Sequence, residues 1–167
     1  DNRNENSGRI TSAELRESQM LTMKKSNVGM VITTDLGDLK SIHPPKKKEV
    51  GERFAFWALK KNYNFKDLVH SGPIYKSVDF KNGKALVSFD HAESGLYCPD
   101  TKIQHFEIAG IDNKYYPAES KIIGNKVMVW SGNVTEPRSV RLGWKNYFEM
   151  NLFNKEGLPA SSFRTKE

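Results

Sequence analysis

A single histidine, His43, stands between an apolar run and a lysine-rich stretch in "MVITTDLGDLKSIHPPKKKEVGERFAFWAL", residues 30–59. Imidazole is the side chain whose ordinary titration lies nearest neutral pH, so the chemistry it offers is general acid–base transfer. Lys46, Lys47 and Lys48 come next, at the expected start of a helix. Their charge and the positive end of the helix dipole disfavour an imidazolium there, leaving the form a base needs. Asp35 and Asp38 lie just upstream.

The other candidates offer less. His70, His91 and His105 are not three or four apart from one another, as helix-borne metal ligands would be, and His105 in "KIQHFEIAG" reads as an ordinary strand position. No G-x-S-x-G is present, and the "SGN" of Ser131 to Asn133 falls in an expected turn. If His43 is catalytic, its serine lies outside this chain. Cys98 is the one cysteine, which excludes an intrachain disulfide and a cysteine-based zinc site; it reads as a semi-buried small side chain. No metal or organic cofactor is expected.

The elements that must place these residues can be read from periodicity. "SAELRESQMLTMKK" from Ser12 predicts a helix capped by Ser12, with Leu15, Met20 and Met23 among its regularly spaced positions. "VGMVITTDL", residues 28–36, is short, apolar and β-branched, which predicts a buried strand. Pro44 opens a second helix reaching about Asn64, with Val50, Phe54, Trp57 and Ala58 on one stripe. One strand with two helices cannot bury both faces of that strand. Such a piece either belongs to a larger α/β protein or docks entirely on the remainder of the chain.

From Ser71 onward the sequence changes character. "IYKSVDF" and "ALVSFD" flank Asn82-Gly83, a strong hairpin signal, and a series of short strands punctuated by Gly, Asn and Pro runs on to "RSVRLGW". This predicts an antiparallel β-sandwich over residues 71–167, with residues 1–70 as the α/β segment. "NLFNKEGLPASSFRT" is too irregular for a strand and too apolar for a free tail, so it should fold back on the body.

The 167-residue chain carries 26 basic and 20 acidic residues, a net charge of +6 spread mostly as scattered lysine. Scattered lysine is the mark of a solvated surface, and neither a nucleic-acid nor a membrane partner is expected. The polar start has no apolar signal core and no initiator methionine, so the sequence reads as a processed end, an expression boundary or part of a longer protein.

The His43 stretch, succeeded in order by "SGPIYKSVDF", "VSFDHAESGL", "FEIAG", "YYPAESKI" and "NLFNKEGLPASSFRT", resembles the last conserved blocks of the sialate O-acetylesterase family. The resemblance covers nearly all of residues 12–166. It implies the C-terminal piece of a three-layer α/β/α SGNH-type hydrolase domain in residues 1–70, and then a β-sandwich accessory domain. It also implies a serine esterase that removes O-acetyl groups from sialic acid, with His43 as general base for a serine supplied by the missing N-terminal part. A periplasmic or secreted location is implied by the same resemblance. The family places an aspartate three residues before its histidine; Lys40 stands there in this chain, so the resemblance leaves Asp38 or Asp35 to orient the ring as a triad carboxylate does, or a backbone carbonyl to do so in a Ser-His pair, with Asp38 preferred because the loop could fold it back on His43. An esterase for another acetylated glycan is a related reading. A non-catalytic sugar-binding or structural sandwich is the other, with Trp130, Trp144, Tyr115, Tyr116 and Tyr147 as possible stacking platforms and the protein core as their ordinary use.

Overall fold

The computed structural model describes residues 11–41, 43 and 45–165. Two helices lead the chain, α1 (Thr11–Thr22) and α2 (Lys47–Lys61). Among the described residues ten strands come after them: β1 (Ile74–Lys81), β2 (Lys84–Asp90), β3 (Leu96–Tyr97), β4 (Phe106–Ala109), β5 (Tyr115–Pro117), β6 (Glu119–Ile123), β7 (Lys126–Trp130), β8 (Ser139–Leu142), β9 (Phe153–Asn154) and β10 (Phe163–Arg164).

All strand pairs are antiparallel. One sheet runs β1-β2-β7-β6, a second β10-β8-β4-β5, and β3 pairs with β9. Asn82 and Gly83 both take positive φ, 51° and 70°, so the β1–β2 turn has the backbone twist that lets the flanking strands stay paired. Alternation then sends one face inward: Ala85, Val87 and Phe89 of β2 and Val127 and Val129 of β7 meet Phe106 and Ile108 of β4 and Val140 and Leu142 of β8 in a single core. Burial of each larger side chain contributes roughly 1.5–3 kcal/mol. The segment "YYPAESKII" serves both sheets, since β5 pairs with β4 and β6 with β7; the change of sheet occurs at Ala118, whose N–H donates to the Phe106 carbonyl at 3.0 Å.

The expected three-layer α/β/α portion is not found among the described residues. Among the described residues the protein is mostly β, with two short helices and three antiparallel sheets, and residues 28–33 form no strand. The apolar run has no neighbouring strand to complete its ladder, so its carbonyls are met one at a time. Arg53 donates to the Ile32 carbonyl, and the Thr34 carbonyl accepts from the Met150 N–H at 3.3 Å.

Arginine contacts carry much of the docking of both helices, although Ala13 of α1 is buried and the Trp57 ring of α2 packs against Gly29 and His70. Leu15 of α1 is 59% exposed, while Arg16 donates to the carbonyls of Gly143 (3.1 Å) and Lys145 (2.5 Å) and to Ser162 Oγ (3.2 Å). Burial lowers the Arg16 guanidinium to about 10, which leaves it charged at neutral pH. Ser12 is inside the helix rather than at its cap, and its N–H is satisfied by Asn146 Oδ1 at 3.2 Å. In α2, Phe54 is 56% exposed and the buried residue is Arg53. α2 also begins later than expected, at Lys47.

The closing segment does fold back, burying Leu152, Leu158, Ala160 and Phe163 and adding β9 and β10. Asn154 within it is fully buried. Its Nδ2 donates to the carbonyls of Ser71 (3.0 Å) and His91 (3.1 Å), and its Oδ1 accepts from Leu158 N at 2.9 Å.

Candidate functional site

The loop that carries His43 is anchored through Asp35 and shaped by its own hydrogen bonds. At its start, Asp35 is gripped by Arg53 of α2 through two parallel bonds, Nη1 to Oδ1 at 2.7 Å and Nη2 to Oδ2 at 2.5 Å. Leu36 is buried next to it, and a Cβ on Gly37 would lie 3.6 Å from the Tyr147 ring, so Gly37 passes close to the β-body. Asp38 and Ser41 form an isolated antiparallel bridge, while Asp38 Oδ1 accepts from the Lys40 N–H at 2.8 Å. That turn is the local habit of aspartate and needs no tertiary contact. Ser41 Oγ then accepts from the His43 N–H at 3.0 Å.

His43 is exposed at the far side of this turn. The structure therefore places Asp38 and His43 on one short, internally bonded loop. It separates the two carboxylates by use, because both Asp35 oxygens are engaged by Arg53.

Beside the loop lies a groove of about 740 Å³. Asp35 and Lys46 line it from the loop side, and Asp100, Gln104, His105 and Tyr147 are among its walls on the β-body. Asn151 is buried and braces one wall: Nδ2 donates to Asp100 Oδ2 (2.7 Å) and the Lys102 carbonyl (2.9 Å), and Oδ1 accepts from Gln104 N (3.0 Å). Tyr147 Oη donates to Glu149 Oε1 at 3.0 Å. Burial raises the Tyr147 phenol above its ordinary value; the hydrogen bond to Glu149 and the charges of Glu149 and Asp38 add to this. Asp38 is thus close enough for its charge to reach the groove.

His105 is not the strand residue that the sequence suggested. It has φ 67°, precedes β4, and turns its ring edge to Phe148 at 5.4 Å. Burial, and after it the charge of Lys145, holds it below the usual histidine value. His70 and His91 lie elsewhere, edge to face at 5.1 Å, with His70 also edge to face with Trp57 at 4.4 Å. They line a second groove of about 780 Å³ between α2 and the body. Among the described residues no three His, Cys, Asp or Glu side chains stand together as metal ligands would. No helix among them is long and apolar enough to cross a membrane. Cys98 is half-buried, and burial raises its thiol.

Asn151, Glu149 and the Arg53–Asp35 pair had no signature in the sequence. Tyr147 stood among five aromatic candidates with nothing to separate it from the others, since its place beside Gly37 depends on residues 110 positions apart.

No family model matches the chain, and no curated protein matches it. Solved structures do. One, described as a novel carbohydrate acetylesterase from Xanthomonas citri, shares 39% identity with a TM-score of 0.87 over 92% of this chain. The chain spans 36% of that protein's length. In both sequence and fold, nearly the whole chain is related to part of a carbohydrate esterase.

Proposed function

We propose that this chain forms part of an esterase that removes O-acetyl groups from carbohydrate, with His43 as its general base. The observation that carries the reading is 39% identity across 92% of the chain to a carbohydrate acetylesterase. An exposed histidine on a turn held by Arg53 supports it, since a base must reach a proton on another group. That group is a serine on a segment of the same protein outside these residues. His43 takes the serine proton as the oxygen attacks the acetyl carbonyl, then returns it to the departing sugar hydroxyl. A water deprotonated by His43 releases acetate from the acyl-enzyme. Asp38 orients the imidazole, because Asp35 is committed to Arg53. Sialic acid is the sugar suggested by the sequence resemblance, and a periplasmic or secreted setting goes with it.

Acetate release by the full-length protein from 9-O-acetyl-N-acetylneuraminic acid and from acetylated xylo-oligosaccharides tests this. His43→Ala should abolish turnover on both while circular dichroism stays unchanged. Retained turnover in that variant removes His43 from the mechanism.

A further inference from the structure

The five aromatic side chains that could serve as sugar platforms are not equivalent in the fold. Arg164 lies over Trp144 at 4.6 Å, Arg141 over Tyr115 at 3.9 Å, Lys84 over Trp130 at 5.3 Å and Lys114 over Tyr116 at 5.2 Å. Trp144 is in addition buried. A cation on a ring face occupies the electron-rich surface that a sugar's C–H face would otherwise meet. Among the described residues no cation stands over Tyr147.

Tyr147 is half-buried, lines the groove beside the His43 loop, and sits against Gly37 of that loop. Its hydroxyl donates to Glu149 Oε1, which ties the far end of the side chain to the groove wall. Opposite charges and amides converge around it. Asn151 holds the Asp100 carboxylate and the Gln104 backbone N–H, and Lys46 and Lys145 are exposed. An aromatic face with charged and amide groups beside it is the composition that recognises a polyhydroxylated ring, apolar on its face and polar on its edge. A volume of about 740 Å³ is more than one sugar ring fills.

We propose that this groove is a glycan subsite with Tyr147 as its stacking platform, so that the substrate is an acetylated oligosaccharide rather than a free acetylated monosaccharide. The inference rests on the esterase reading of the chain. The sugar bearing the ester would sit at His43, and the next residue of the glycan would lie along Tyr147. Tyr147 takes no part in proton transfer.

The test compares kcat and KM of the full-length protein on 4-nitrophenyl acetate, on two free O-acetylated monosaccharides (sialic acid and xylose) and on the oligosaccharides that contain each. Expected are a higher kcat/KM for at least one oligosaccharide than for its monosaccharide, and a rise in KM of about tenfold for that oligosaccharide in Tyr147→Ala. The loss in Tyr147→Ala should be larger on that oligosaccharide than on 4-nitrophenyl acetate, and Tyr147→Phe, which keeps the ring, should restore most of it. Equal use of both oligosaccharides and their monosaccharides overturns the subsite, as does an equal loss on 4-nitrophenyl acetate in Tyr147→Ala. If the wild type hydrolyses none of these esters, the esterase reading fails separately. Calorimetric titration with the same oligosaccharides then decides: binding that Tyr147→Ala abolishes supports the subsite, and no binding overturns it.

Discussion

Arg53 and Asp35 form a two-pronged ion pair in which the side chains are only 9% and 12% exposed, and the same guanidinium caps the Ile32 carbonyl. One residue of α2 thereby holds both the irregular segment before the His43 loop and the loop's first carboxylate. Removing one partner leaves the other charge buried and uncompensated, which costs on the order of 3–5 kcal/mol. Arg53→Ala and Asp35→Ala should each lower the unfolding free energy by about that amount in urea, and the double variant by clearly less than the sum. Additive losses would mean that the two side chains are not coupled.

The same pair engages both Asp35 oxygens, and the orienting role proposed for Asp38 can be tested against it. Asp38→Asn should lower kcat on an acetyl ester about 100-fold or more, with KM within about threefold and stability little changed. Asp35→Asn should act mainly on stability. Full activity in a folded Asp38→Asn protein would return the orienting role to another group.

Acid should weaken the seam between α2 and the β-body. Burial, aided by the charges of His91, Lys61 and Lys60, lowers His70 to about 4, and burial also lowers His91 and His105. Between an unfolded value near 6.5 and about 4, the unfolded chain binds a proton at His70 that the folded chain refuses. The stabilisation is therefore complete above about pH 6.5 and is lost as pH falls toward 4, worth on the order of 2–3 kcal/mol for His70. Urea unfolding across pH 4 to 7.5 should show this slope, and His70→Phe should flatten it. An unchanged slope in that variant would place the sensitivity elsewhere.

At the junction before β1, a Cβ on Gly72 would lie 2.0 Å from the Pro159 carbonyl oxygen. Neither group can swing away, because both are backbone. Gly72→Ala should cost at least the roughly 1–3 kcal/mol of an overpacked core and lower the melting temperature by several degrees. Gly51→Ala, with nothing within 4 Å inside α2, should instead be neutral or slightly stabilising.

The β-body was legible because its signals are local. Asn82-Gly83 specifies its own turn, and the alternation in β2 that buries Ala85, Val87 and Phe89 fits only a sheet with one face inward. Residues 28–36 misled for the complementary reason. An apolar β-branched run states a preference for a strand, but a strand exists only where a neighbour supplies the other half of the ladder. The helices were recognisable by spacing, yet Arg16 and Arg53 anchor them, and a long cationic side chain declares nothing in sequence about which distant carbonyl it will meet.

His43 and its two carboxylate neighbours were nominated as candidates by the sequence alone, since residue type and nearness along the chain suffice for a nomination. Which carboxylate is committed elsewhere was decided by the tertiary structure, through Arg53. So was the meeting of Tyr147 with Gly37, and with it the groove beside the loop. Local rules act over a few residues, whereas a groove is made by walls whose separation along the chain carries no periodic trace.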